Sequence, residues 1–235
     1  VALFVIGDED IRCGINILGA HIDSPRLDLK SNPLYESDEF AYFDTHYYGG
    51  IKKYQWVTLP LALHGVVVKK NGEKITINIG ENSNDPVFGI TDLLPHLGRE
   101  QMKKDANEVI SGDNLDILVG SKPLNLDDKD KEDLVKRNIL NILKEKYDIE
   151  DEDFLSSEIE VVPAGVARDF GFDRSMIMAY GQDDKVCAYT SLRAFLDVSK
   201  CHKTISCILV DKEEIGSMGS TGMDSHFFVN TVADI

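Results

Sequence analysis

The chain has 235 residues, 41 acidic and 25 basic, for a formal charge of −16. That balance speaks against a nucleic-acid partner, because neutralising phosphates takes a basic patch and the basic residues fall in pairs such as Lys52-Lys53 and Lys69-Lys70. With 43% hydrophobic and 28% charged residues the composition is globular, and no stretch reaches the roughly 20 apolar residues of a membrane span.

In chain order, residues 14–20 are uncharged, apolar and largely β-prone, which predicts a central strand buried on both faces. The polar cluster His21-Ile22-Asp23-Ser24-Pro25 closes it. Between about residues 55 and 90 short apolar runs follow one another, at 56–59, 65–68 and 75–79, with Asn71-Gly72 as a hairpin turn between the last two. This predicts an antiparallel, β-rich unit. Within residues 131–143, apolar side chains at 134, 135, 139, 142 and 143 form a helical stripe. Residues 187–196 read as a further helix and 204–210 as a buried strand, ending in Asp211-Lys212-Glu213-Glu214.

Strand, crossover helix and strand predict an α/β fold with a mostly parallel sheet and flanking helices. The expected domain spans residues 1–24 and 159–235 and is interrupted by a β-rich insertion, residues 25–158. The acidic clusters Asp127-Asp128 and Glu150-Asp151-Glu152-Asp153 read as solvated surface. Cys13, Cys187, Cys201 and Cys207 form no CxxC pair, which predicts reduced, mostly buried thiols and a cytoplasmic location. The lack of a starting methionine and the apolar Phe227-Phe228-Val229 near the end suggest a longer polypeptide truncated at both ends.

Three clusters at or near element ends carry potential chemistry. In His21-x-Asp23 the carboxylate either orients a metal-binding imidazole or caps backbone amides in a polar turn. Asp183-Asp184, just before a helix, is either a cation site or a helix cap with a second acid favoured by the dipole. Glu213-Glu214 is either a surface loop or a pair with one metal ligand and one general base. Taken jointly, one histidine with several carboxylates and no thiolate suits Zn, Mn or Co in a hydrolytic rather than a purely structural site.

Gly19-Ala20-His21-Ile22-Asp23-Ser24-Pro25-Arg26-Leu27, Tyr48-Gly49-Gly50, Leu94-Pro95-His96-Leu97, Ala179-Tyr180-Gly181-Gln182-Asp183-Asp184-Lys185-Val186-Cys187-Ala188-Tyr189-Thr190 and Asp211-Lys212-Glu213-Glu214-Ile215-Gly216-Ser217 resemble, in order over nearly the whole chain, the aspartyl aminopeptidase family of dinuclear metallopeptidases, especially its bacterial branch. The resemblance implies a cytoplasmic zinc-peptidase-like aminopeptidase that removes single residues from peptide N-termini. It further implies two divalent ions, zinc first with Mn or Co as alternatives, and dimers that build a tetrahedral dodecamer.

By the same resemblance His21 is a ligand of one metal, Asp183 the bridging carboxylate, Glu214 a terminal ligand and Glu213 the general base that activates a metal-bridging hydroxide. Asp23 orients His21, and the Asp183-Asp184 bond is expected in cis. The insertion resembles a dimerisation domain, in which His96 reaches the active site of the partner subunit and holds substrate or oxyanion.

The chain departs from the family pattern after Glu214. The pattern calls for a further Asp some tens of residues later and a His near the C-terminus, whereas 21 residues remain. Asp224 and His226 read instead as a helix start, His64 and His202 as ordinary loop or sheet residues, and His46, in a polar and aromatic stretch before Gly49-Gly50, is assigned no role. Two other classes compete: an inactive assembly module of the same fold, and a metal-independent glycosidase with carboxyls roughly 5–10 Å apart. His21 beside Asp183 and Glu214 favours the metallopeptidase.

Overall fold

The computed structural model describes residues 1–125 and 132–234 and divides into two units, Val1–Pro25 with Ala179–Ile235, and Arg26–Met178. The smaller unit begins with β1 (Ala2–Val5) and β2 (Asn16–His21). The larger comprises β3 (Arg26–Ser37), β4 (Phe40–Tyr48), a one-turn helix α1 (Lys53–Trp56), β5 (Leu61–Val68), β6 (Lys74–Ile79), β7 (Gly89–Ile90), β8 (Ile117–Gly120), α2 (Leu134–Tyr147), β9 (Ser157–Pro163), β10 (Arg168–Phe170) and β11 (Met176–Met178). The chain then returns to the smaller unit with α3 (Gln182–Leu196), β12 (Ile205–Val210) and α4 (His226–Ala233).

The expectation of a mostly parallel sheet is overturned. The larger unit holds a seven-stranded sheet in the order β6-β5-β9-β3-β4-β8-β7, and every pairing in it is antiparallel. Short hairpin connections favour that geometry, since parallel neighbours need long crossovers. The β3–β4 hairpin turns at Asp38-Glu39, both with positive φ (51° and 64°), the backbone of a two-residue primed turn. The hairpin expected around Asn71-Gly72 forms between β5 and β6, with Gly72 at φ 86°. Trp56 belongs to no strand; it is buried in the single turn of α1.

Between β5 and β3 lies β9, paired with both. A boundary at 158/159 would cut this strand, and the division by contacts falls instead after Met178. Gly65 faces β9 so closely that a Cβ there would stand 2.0 Å from the Glu158 carbonyl oxygen. Leu27, Leu61, Val67, Leu115, Ile117 and Val161 are fully buried in one continuous core.

Against that core packs α2, through Val135, Ile139, Leu140, Leu143 and Tyr147, while Ile142 of the expected stripe faces solvent. The carboxylate of Glu36 accepts from the free amides of Val135 and Lys136, each at 2.9 Å, and so satisfies the first turn of the helix. The acidic run 150–153 is more than solvated surface: Glu150 and Asp153 form a reciprocal capping box. Asp127-Asp128 lies outside the described residues, as does Lys131 at the start of the expected helix.

In the smaller unit, three strands are ordered β1-β12-β2, with β12 antiparallel to β1 and parallel to β2. Strand-helix-strand reasoning therefore holds for one pair. The expectation of a central, doubly buried strand at 14–20 fails: β2 is at the edge, with Ile17 49% and Leu18 37% exposed and Ala20 its buried residue. The central place goes to β12, where Ser206 and Cys207 are fully buried. On β2 and β12 packs α3, whose buried residues are Ala188 and Phe195. The cysteines are free thiols, but Cys207 alone is buried, and Cys13 and Cys187 are exposed. Among the described residues no helix is long and apolar enough to cross a membrane.

Candidate metal centre

Parallel pairing brings two chain ends to one place. His21, the last residue of β2, stands opposite Val210, the last of β12, so the segments that follow leave the sheet side by side. After β12, Lys212 takes a left-handed conformation (φ 72°) and a tight turn carries Glu213 and Glu214, closed by Gly216 at φ 82°. Open α/β sheets bind ligands beyond such strand ends.

Asp23 ties the two segments together. Its side chain is 1% exposed and accepts from the amides of Glu213 at 3.3 Å and Glu214 at 3.2 Å. The same residue faces the His21 ring, with Nδ1 lying 3.0 Å from its carbonyl oxygen and 3.3 Å from its Oδ1. Asp23 is thus a cap for backbone amides and, at the same time, an acceptor facing the imidazole. A proton on Nδ1 leaves the Nε2 lone pair free for a cation.

The start of α3 supplies the third segment. Gly181 is left-handed (φ 75°), Asp183 and Asp184 depart from helical angles, and the peptide between them is cis. The Asp184 carboxylate accepts from the His21 amide at 3.4 Å, and the Ser24 hydroxyl donates to the Asp183 carbonyl at 3.1 Å. Tyr180 donates its hydroxyl proton to the Pro25 carbonyl at 2.8 Å. Ser24 and Tyr180 are positioning residues that the motif reading quoted without a role. Their signal was their place beside His21-x-Asp23 and Asp183.

Around His21 Nε2 stand Asp183 Oδ1 at 3.2 Å and Glu213 Oε2 at 3.8 Å. One donor atom each from His21, Glu213 and Glu214 fall within 4.8 Å of one another, the one such group among the described residues. Asp183 adjoins His21 without joining that triple, and its side chain is 88% exposed. Asp224 and His226 stay apart from it: Ser225 is the cap residue of α4 and His226 its first residue. His96 lies in the larger unit, on an exposed turn.

The charges test whether a cation fits. Burial disfavours ionised Glu214, the adjacent Glu213 charge disfavours it further, and its pKa is raised despite His21. Burial lowers the pKa of His21, but the Asp23 carbonyl and the charges of Glu213, Asp23 and Asp184 outweigh it and raise the value. His21 and Glu214 each hold a proton more readily than they would in water, as anionic donors crowded together without a positive charge do. A divalent cation meets that need, and one imidazole with oxygen donors suits zinc, manganese or cobalt. A cavity of about 300 Å³ opens beside His21, Asp184 and Glu213, walled by Ile17, Ala20 and Ile208.

The parallel strand pair and its mixed imidazole-carboxylate donor set make this α/β unit a candidate metal-binding domain. The family model for aminopeptidase I zinc metalloproteases, peptidase family M18, matches residues 1–235, and the chain belongs to that family. It is 62% identical over 99% of its length, and 50% of the relative's, to a probable M18 family aminopeptidase 1 of Clostridium acetobutylicum. The corresponding protein of Thermotoga maritima is 51% identical over 100% of this chain and 51% of its own. A crystal structure of aminopeptidase I from C. acetobutylicum superposes with a TM-score of 0.91 at 59% identity, over 100% of this chain and 51% of that one. The S. cerevisiae mApe1 dodecamer shares the fold, with a TM-score of 0.70 at 19% identity over 99% and 51% of the two chains. The chain thus spans about half the length of the curated relatives it matches.

Proposed function

We propose that the protein is a metal-dependent aminopeptidase that hydrolyses the N-terminal bond of peptides with two divalent ions, zinc foremost. The observation that carries this reading is the convergence of His21, Glu213 and Glu214 within 4.8 Å, with Asp183 3.2 Å from the imidazole. A glycosidase pair, with carboxyls roughly 5–10 Å apart, has no use for a histidine among its carboxylates. In this reading Asp183 serves both ions, Glu214 and His21 are terminal ligands, and Asp23 and Asp184 hold them in place.

A divalent ion bound there supplies the Lewis acidity that acidifies water and polarises a carbonyl. Glu213, the more exposed of the pair, takes a proton from the attacking water and returns it to the leaving amine. Its carboxylate is aimed for that task by the turn whose amides Asp23 holds. The free α-amine of the substrate completes the site, which restricts cleavage to the first residue. The larger unit is a dimerisation domain in this reading, and His96 reaches the neighbouring subunit's site to hold substrate or oxyanion. Dimers then build a tetrahedral dodecamer, a reading supported by the dodecameric mApe1 of the same fold. The location is cytoplasmic.

Metal content and turnover separate the roles. Glu213→Gln is expected to keep its metal and lose about 10²–10⁴-fold in rate. Glu214→Gln and His21→Ala are expected to lose metal as well. Elemental analysis beside peptide hydrolysis reads both, and a Glu213→Gln variant with wild-type turnover removes that residue from the role of base. An N-acetylated peptide cleaved as fast as its free parent would refute the amine contact.

A further inference from the structure

The Asp183 side chain is 88% exposed, so packing does little to aim its carboxylate, and the aim has to come from its main chain. The regular pattern of α3 does not fix that main chain either. Asp183 (φ −86°, ψ 115°) and Asp184 (φ −114°, ψ 26°) both depart from helical angles. What holds this stretch is the segment 21–25 of the same unit. Tyr180 donates to the Pro25 carbonyl at 2.8 Å on one side of Asp183, and on the other the Asp184 carboxylate accepts from the His21 amide at 3.4 Å. Ser24 reaches Asp183 itself, its hydroxyl donating to the Asp183 carbonyl at 3.1 Å.

Two further features mark that bond. Ser24 is 3% exposed, so water does not compete for its hydroxyl, and a buried polar group of this kind is costly unless it is paired. Gly181 leaves the space in which it lies. A Cβ on Gly181 would stand 3.1 Å from Ser24 Oγ and 2.7 Å from Lys185 Nζ, on a backbone with φ 75°, so a side chain there would crowd the hydroxyl as well as strain a left-handed residue. Asp23, the preceding residue, faces the other way and accepts from the amides of Glu213 and Glu214. Two neighbours in sequence therefore brace two different stretches of the centre, Asp23 the turn after β12 and Ser24 the start of α3.

We infer that Ser24 is a positioning residue for metal binding that acts through Asp183. Its hydrogen bond keeps the Asp183 carboxylate beside the His21 imidazole, 3.2 Å away, and so decides whether that carboxylate joins the donors of His21, Glu213 and Glu214. This rests on the metal centre proposed above and goes beyond it by giving the two halves of the centre separate supports, so that one can be loosened while the other stands.

Titration with Co²⁺, followed by its visible spectrum, tests this in a double-mutant cycle of Ser24→Ala and Asp183→Ala, because that spectrum responds to the number and arrangement of the ligands. Ser24→Ala is expected to lower Co²⁺ affinity about tenfold, as loss of an outer partner of a metal ligand does, and to shift the spectrum towards that of Asp183→Ala. Added to Asp183→Ala, the same change is expected to cost no more than about twofold, since a residue that acts through Asp183 has nothing left to act on. Ser24→Cys keeps the volume but donates weakly; it is expected to fall between the two and carries the test if Ser24→Ala misfolds by circular dichroism. A serine variant with wild-type affinity and spectrum, or one that loses equally with and without Asp183, would overturn the assignment. A wild type that takes up no Co²⁺ refutes the metal centre and this inference with it, whereas a metal-binding wild type indifferent to Ser24 refutes this inference alone.

Discussion

The two units spend their residues differently. Among the described residues of the larger, nineteen buried apolar side chains form one cluster that runs from Leu27 to Val161. Among the described residues of the smaller, the buried apolar ones are Ala20, Ala188, Phe195 and Cys207, and the buried polar ones include Asp23, Ser24, Thr204 and Ser206. One unit is held by apolar burial. The other uses its interior to aim polar groups, and the candidate metal centre lies there. The apolar core and the candidate metal centre are thus carried by separate stretches of sequence, and substitutions in each should register in different measurements.

The largest effect on stability is expected in the larger unit. Leu61 is fully exposed to its neighbours and not at all to water, so Leu61→Ala should cost about 2–5 kcal/mol. Trp56, the single tryptophan, is buried in the same cluster, and its fluorescence in a urea titration reads the loss. The contrasting change is Leu18→Ala on the exposed edge strand of the smaller unit, which should cost no more than about 1 kcal/mol. Equal costs at the two sites would break the distinction between the units.

Asp23→Ala acts next, and on the other unit. It removes the acceptor of two turn amides and the partner of the His21 ring. Metal affinity is expected to fall about 10–100-fold, as when other outer partners of metal ligands are removed, with a stability cost of about 1–3 kcal/mol for the amides left unsatisfied. Calorimetric titration with zinc checks the first and urea unfolding the second. Undiminished affinity would mean that the Glu213-Glu214 turn holds its shape without Asp23.

How far each unit could be read from sequence follows from the same contrast. His21, Asp183, Glu213 and Glu214 stand out by residue type, because clustered carboxylates with an imidazole are costly without a cation. What residue type could not supply was the path that unites them, which comes from the parallel register of His21 with Val210 and from hydrogen bonds of Asp23 and Asp184. The burial of β2 was misjudged because an apolar run records affinity for a core, not the presence of one beside it. In the larger unit the β3–β4 pair escaped notice because its strands mix charges with apolar residues. Lys30 and Asp44, for example, answer each other at 2.6 Å across the pair. Such pairing depends on the partner strand and leaves little trace in either segment alone.

The smallest expected effect concerns a half-buried carboxylate in the larger unit, and it sharpens the comparison by its sign. Asp116 accepts from the Tyr35 hydroxyl at 2.6 Å and from the Thr45 amide at 3.0 Å. Burial nonetheless raises its pKa, with the charge of Asp44 adding to the effect and the hydrogen bonds and Lys30 opposing it. The Tyr35 hydroxyl is pushed up as well, first by burial and then by Asp116, so it stays protonated over the acid range. Because the folded state holds the Asp116 proton more tightly than the unfolded chain, this group's contribution to stability is fully present below the unfolded carboxylate pKa near 4 and is lost as the pH rises through the folded value. Asp116→Asn keeps an acceptor for Thr45 and a donor for the Tyr35 oxygen but cannot ionise. Its stability relative to wild type should therefore rise between acid and neutral pH, by urea unfolding followed through Trp56. A constant difference across that range would place the cost of burying this charge elsewhere in the cluster of Asp44, Lys30 and Asp116.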